Sequence, residues 1–326
     1  MVSEFPRPVL PGTAAPQVRE ALQIPAELAG TRLDAALARL LPRFSRSRLQ
    51  QWIDAGQVLV NGRARARREK VLGGEAVTVE GWLEADTQVN AEVRDLAIVH
   101  RDAAVIVIDK PAGLVVHPGA GNRAGTLQNA LLAIDSELAL VPRAGIVHRL
   151  DKDTSGLLVI ARTVEAHFHL VRALAAREVH REYLALCVGA MTGGGTVDAP
   201  IGRHPTQRIR MAVRPDGRVS ITHYRIERRF AAHTLARVQL DTGRTHQIRV
   251  HMAHVGYPLV GDPVYGGRKR LPRGATPALI AALDAFRRQA LHATRLGFEH
   301  PTSGKAMQFD SPLPADFLTL LAELAR

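Results

Sequence analysis

Residues 145–160 read Gly-Ile-Val-His-Arg-Leu-Asp-Lys-Asp-Thr-Ser-Gly-Leu-Leu-Val-Ile, a mostly polar octet, His148 to Ser155, between two apolar runs. The flanking Ile146-Val147 and Leu157–Ile160 are expected to be short buried strands. Placing Arg149, Asp151, Lys152 and Asp153 at the mouth of a core is costly unless the charges are paired. Chains tolerate that cost for chemistry, so the octet is the expected active site.

The chain has 326 residues, 46% of them apolar and 23% charged, enough for two domains and a sizeable core. A single cysteine, Cys187, excludes a disulfide framework or a thiolate-rich metal site. Its apolar setting, Tyr183 to Val188, predicts a buried structural thiol. No apolar run reaches the length of a membrane span, and Met1 to Pro8 holds an acid and two prolines where a secretory signal needs an apolar core. A cytoplasmic protein without a membrane partner is expected.

The formal charge is +12, and only Lys70, Lys110, Lys152, Lys269 and Lys305 are lysines. An arginine-rich excess suits nucleic acid, because guanidinium forks onto phosphate and stacks on bases. A genome rich in arginine codons would give the same total, so distribution matters more. Residues 31–70 carry ten basic residues against Asp34, Asp54 and Glu69, more than half of the whole excess.

Residues 1–17 hold four prolines and little periodicity, and are expected to form a flexible arm. Next, Leu33, Ala36, Leu37, Leu40 and Leu41 mark one helix face. Ser45 can cap a second helix that buries Leu49, Trp52 and Ile53 and stops at Gly56. Val58–Val60 is a strand, and Asn61-Gly62 is a tight-turn signal. On this small unit Arg46, Arg48 and Arg63 are expected to share one side. Beyond residue 80 short strands dominate, at 97–100, 105–108, 184–186 and 236–240, with helices near 126–135, 164–177 and 277–289. Strands without regular β-α-β alternation predict an α+β fold on a mixed, largely antiparallel sheet flanked by helices and loops. Gly193-Gly194-Gly195 is expected to be a loop.

Asp151 and Asp153 are the obvious acid pair. An extended segment would point them to one side and a turn would separate them. We assign Asp153, with Thr154 and Ser155, to hydrogen-bonding the turn. Asp151 sits beside Arg149 and Lys152, and a partly desolvated carboxylate stays ionised only with a cation nearby. Such a group can be a nucleophile or a general base. A second cluster, Thr242 to His251, supplies Arg249 as its expected counter-ion. His246, His251 and His254 lack usual zinc spacing, and no metal is expected. Tyr183 opens a strand and suits either core packing or stacking on a displaced base.

Two resemblances follow from these residues. Arg32-Leu33-Asp34, Ser45-Arg46-Ser47 and Gly56 to Gly62 resemble the S4 RNA-binding domain, a recruiter that does not catalyse. His148 to Gly156 resembles the signature of the pseudouridine synthases that modify ribosomal RNA. Lys110 to Pro118, Arg181-Glu182-Tyr183, Gly243 to His251 and Gly261 to Gly266 add to that likeness. It implies a cofactor-free isomerase that detaches uracil from C1′ of a flipped-out uridine and rejoins it through C5. Asp151 would attack C1′ or remove the 2′ proton. Tyr183 would stack on uracil, Arg249 would pair with Asp151, Ile248 would pack on the base, and Arg149 would fill the vacated gap. Arg208 and Arg210 vary a basic loop expected to touch RNA. The implied partner is large-subunit rRNA or a pre-ribosomal particle, most closely the helix 69 stem-loop, and the protein is expected to work as a monomer. The resulting division is an arm to residue 17, an S4-like domain over 18–85, and a catalytic domain over 90–326.

Overall fold

The computed structural model describes residues 17–82, 89–119, 121–207, 209–267 and 269–326. The expected arm lies outside these residues except for Gln17, which instead starts a strand. The chain divides into two compact units, residues 1–86 and 87–326.

In the first unit, β1 (Gln17–Gln23) precedes α1 (Leu33–Leu40) and α2 (Arg46–Asp54). Strands β2 (Val58–Val60), β3 (Arg63–Ala64) and β4 (Ala76–Trp82) complete an antiparallel sheet in the order β1-β4-β2-β3. Ser45 caps α2 by accepting the Arg48 N–H at 3.2 Å. Leu49, Trp52 and Ile53 are buried beneath it. Asn61 and Gly62 both take positive φ, 50° and 75°, as a two-residue hairpin turn demands. Trp52 lies flat over Gly81, where a Cβ would sit 2.3 Å from its ring, so only glycine allows this helix-to-sheet contact.

The second unit is built on a nine-stranded sheet. Its strands are β5 (Ala97–Arg101), β6 (Val105–Lys110), β7 (Ser155–Ala161), β8 (His180–Val188) and β9 (Gly195–Asp198), then β12 (Ile221–Arg229), β13 (His233–Leu240), β14 (Leu291–Glu299) and β15 (Ala306–Asp310). The order is β5-β6-β7-β14-β8-β13-β12-β9, and β15 joins the far half of β14. Among the described residues only β7 and β14 run parallel. A separate ribbon pairs β10 (Ile201–Arg203) with β11 (Met211–Val213). Helices α3 (Leu127–Ile134), α4 (Val164–Ala176), α5 (Gln247–His254), α6 (Pro277–Ala285) and α7 (Ala315–Leu324) surround the sheet.

Strand β8 shows how the sheet is covered. Tyr183, Ala185 and Cys187 enter one core with Leu150, Leu158 and Ile248, while Leu184, Leu186 and Val188 enter another with Phe286 and Phe317. Residues two apart therefore share a face, and both faces are buried. Burial pushes the Cys187 thiol up, as a structural thiol requires.

Three expectations need correction. Ile146-Val147 is not a strand: Ile146 makes one isolated bridge to Ile160, after a turn in which Arg143 and Ala144 adopt left-handed φ. Helix α6 stops at Ala285, short of residue 289. Gly195 opens β9, so the glycine run is loop only in part. Among the described residues no helix is long and apolar enough to cross a membrane.

Candidate active site

The octet lies just before β7, which starts at Ser155. Its backbone turns, with the Thr154 N–H donating to Asp151 O at 3.1 Å, so Asp151 and Asp153 diverge. The turn is held from below by Lys110, a fully buried lysine (0% exposed) at the end of β6. Its Nζ donates to the carbonyls of Pro111, Leu114 and Lys152 at 2.8, 2.9 and 2.9 Å. Burial pulls its pKa down to about 7, opposed by the charges of Asp153 and Asp151. Three acceptors match the three protons of an ammonium, so geometry favours the charged form.

The hydroxyls beside Asp153 do not close the turn, contrary to expectation. Thr154 Oγ1 accepts from Gln289 at 3.0 Å, and Ser155 Oγ pairs with His292 Nδ1 at 2.9 Å. They brace the loop against the segment entering β14. The Asp153 backbone carbonyl receives Arg288 at 3.3 Å. His148 also anchors the loop: its Nε2 accepts the Val159 N–H at 3.3 Å, which requires an unprotonated nitrogen. Burial, and then Arg181, hold its pKa down at about 3, in agreement with that role.

Asp151 faces a cavity of about 610 Å³ together with Arg149, Tyr183, His246, Ile248 and Arg249. Its Oδ2 receives Arg249 Nη1 at 3.0 Å. Arg249, 5% exposed on α5, is gripped from behind by Asp262, Nε to Oδ2 at 2.7 Å and Nη2 to Oδ1 at 2.9 Å. Burial works against this guanidinium's charge, yet the two carboxylates push its pKa upward. Asp262 is fixed in turn by the backbone N–H groups of Val264 and Tyr265 at 2.9 and 3.0 Å. Its pKa falls despite burial, because Arg249 and those donors favour the anion.

The other oxygen of Asp151 has no hydrogen bond among the described residues. His246 Nε2 lies 3.9 Å from it. His246 precedes α5 in a left-handed conformation (φ 57°, ψ 21°). Its Nδ1 meets the Tyr265 hydroxyl at 2.9 Å, and that hydroxyl accepts the Met211 N–H at 2.7 Å. Gln247 ties this corner to β12 by donating to Ile221 O and Thr222 Oγ1 at 2.9 and 3.0 Å. Tyr183 is buried, and its hydroxyl has no partner among the described residues. Burial, with Asp151 nearby, raises its pKa and keeps the phenol neutral.

The expected set Asp151, Tyr183, Arg249, Ile248 and Arg149 thus lines one cavity, although it spans a hundred residues of chain. Arg210 stacks a guanidinium 5.4 Å from the centre of the Tyr265 ring. Arg208 lies outside the described residues. In the first unit, Arg46 donates to the buried Asp34 at 2.9 Å, and Arg63 is exposed. Arg46 and Arg48 are two apart on α2 and point to nearly opposite sides of it, so the three arginines do not form one face. Asp262, Lys110 and His246 were missed as site residues. The signal for Asp262 lay in its Gly-Asp-Pro turn, but nothing local pairs it with Arg249. Both ring nitrogens of His251 are engaged, by Thr222 at 2.8 Å and Ala199 O at 2.9 Å. Among the described residues no group of three histidine, cysteine, aspartate or glutamate side chains is placed to hold a metal.

Comparison with known proteins gives the site a context. A sequence model described as RNA pseudouridylate synthase matches residues 104–254, and one described as S4 domain matches 31–77. Ribosomal large subunit pseudouridine synthase D of Xanthomonas campestris pv. campestris is 56% identical over 301 residues, covering 92% of this chain and 91% of that one. The protein of the same name from Pseudomonas aeruginosa is 54% identical, covering 94% and 96%. Among solved structures, human RNA pseudouridylate synthase domain containing 4 matches with TM-score 0.56 and 26% identity, over 70% of this chain and 93% of that one.

Proposed function

The chain belongs to the RNA pseudouridylate synthase family, enzymes that isomerise uridine, and we propose that it acts on uridines of large-subunit ribosomal RNA through Asp151. The observation that carries the assignment of Asp151 is its half-satisfied carboxylate. One oxygen is locked by Arg249, and the other, at the cavity wall, has no hydrogen bond among the described residues.

The reaction breaks the N1–C1′ bond of uridine, turns the detached uracil, forms a C5–C1′ bond and releases the C5 proton. Asp151 would open it by attacking C1′ or by removing the 2′ proton. Arg249, itself held by Asp262, pairs with the carboxylate and aims it. Tyr183 offers a neutral ring for uracil to stack on, and Ile248 gives the base an apolar neighbour. Taking the nucleotide out of its stack costs a few kcal/mol. Arg149, exposed at the cavity rim, would occupy the gap it leaves. The names of the relatives point to large-subunit rRNA, and the motif resemblance to its helix 69 stem-loop. The S4 domain would recruit that RNA.

The test is release of tritium from C5-labelled uridine in transcribed large-subunit rRNA. Wild type should release it, and Asp151→Asn should bind the RNA equally well and release none. Release by the variant at the wild-type rate would remove Asp151 from the chemistry.

A further inference from the structure

Arg181 has no partner among the described residues. It is 8% exposed, its Nε is wholly enclosed, and no hydrogen bond or ion pair reaches its guanidinium from any described residue. Arginine cannot shed its proton to escape such a position. A buried charge without a counter-ion is among the costlier features a fold can carry. The neighbouring Glu182 shows the contrast. It points to the opposite face of β8 and is met by Arg237 at 2.5 Å and Gln239 at 3.0 Å.

The surroundings keep Arg181 where it is. Its Nη1 lies over Gly243, where a Cβ would come within 2.7 Å. Gly243 does not have a positive φ, so its backbone does not demand glycine; the guanidinium needs the room. Both residues line the cavity that holds Asp151. Arg143, Arg149 and Arg244 line it too, and none of these arginines has a carboxylate partner among the described residues. Among the described residues the only carboxylate in the cavity wall is Asp151, already matched by Arg249.

We infer that Arg181 binds a backbone phosphate of the substrate RNA, next to or belonging to the uridine that enters the cavity. This rests on the function proposed above. Arg181 and Tyr183 are two apart on β8, so they share the cavity face with their Cα atoms about 6.6 Å apart. A base stacked on Tyr183 therefore brings its own or an adjoining phosphate within reach of Arg181. A phosphodiester supplies the missing charge and accepts a planar fork in two bonds, which a neutral uracil carbonyl does not. Arg143, Arg149 and Arg244 lie at the exposed rim and would follow the strand outward.

The experiment uses the full-length protein and stem-loop RNAs in which one phosphate flanking the target uridine is replaced by an uncharged methylphosphonate. Tritium release by wild type from the unmodified RNA first establishes the reading itself. Kd is then measured for wild type, Arg181→Gln and Arg181→Lys with each RNA. One methylphosphonate should weaken wild-type binding about 10-fold. It should weaken Arg181→Gln binding no further, because the contact is already lost. The salt slope of Arg181→Gln should also fall by about 0.7. Should Arg181→Gln unfold, Arg181→Lys keeps the charge while losing the fork, and should lose part of the same coupling. Equal methylphosphonate losses in wild type and variants at every position would overturn the inference. So would a fall in kcat with unchanged Kd, which would place Arg181 on the uracil.

Discussion

Asp34 and Asp151 are both carboxylates held by arginine, and they differ in one respect. Asp34, 0% exposed, receives Arg32 on both oxygens, and Arg46 and Gln50 on Oδ2, so neither oxygen is left without a donor. Asp151, 17% exposed, has one oxygen held and one open to the cavity. The first arrangement cross-links helices; the second is what a reacting group needs. Burial opposes the Asp34 anion, but its hydrogen bonds to Gln50, Arg46 and Arg32 prevail and bring its pKa to about 2. The unfolded group titrates near 3.8, so this contribution is full above that pH and is lost as pH falls toward 2. About 2 kcal/mol should disappear across that window. Trp52 and Trp82 both lie in the first unit, so urea unfolding followed by tryptophan fluorescence between pH 6 and 2.5 reads it directly. Asp34→Asn should be less stable at pH 6 and converge with wild type toward pH 2.5. A constant difference across the range would show that the carboxylate's charge is not what stabilises the unit.

At the scale of elements, the site depends on how β7 and β14 meet. They form the only parallel pair of the large sheet, touching at Ser155–His292 and Gly156–Ala293. Gly156 has φ +113°, and a Cβ there would lie 2.3 Å from Ala293 O and 2.6 Å from Ala293 N. The glycine that closes the octet is therefore dictated by a strand some 135 residues later. Gly156→Ala should cost about 3 kcal/mol through backbone strain and displacement of β14. It should also loosen the loop that carries Asp151. A urea midpoint matching wild type would show that the pair can separate freely. The same pairing explains why Thr154 and Ser155 look inward. Their hydroxyls find Gln289 and His292 on the incoming segment rather than the turn itself.

Across the whole molecule, the densest basic segment and the Asp151 cavity lie in different units. Residues 31–70 concentrate the basic excess, while the second unit holds the cavity with Asp151. If the first unit recruits RNA electrostatically, deleting residues 1–82 should weaken binding of large-subunit rRNA. It should also make the loss of affinity with salt shallower, because fewer counter-ions are released. An unchanged slope in a salt titration would make the basic segment ordinary solvated surface.

The sequence by itself determined most of the elements and the polar octet that meets the cavity. Local signals sufficed for the Ser45 cap, the Asn61-Gly62 turn, a strand over 157–160 and the polar octet, because capping, turn conformation and hydrophobic periodicity act within a few residues. Arg249 was legible as a counter-ion from its polar cluster, but the choice between packing and stacking for Tyr183 came only from the family resemblance. The tertiary structure alone decided the pairings. Asp262 behind Arg249, Lys110 beneath the Asp151 turn, Gly156 under Ala293 and the unpaired Arg181 over Gly243 each depend on segments distant in sequence. Burial cost and hydrogen-bond satisfaction arise only when such segments meet, so no window of sequence contains them. That also explains the failed strand at 146–147, where the fold uses apolar side chains to fill space beside β7 without a ladder.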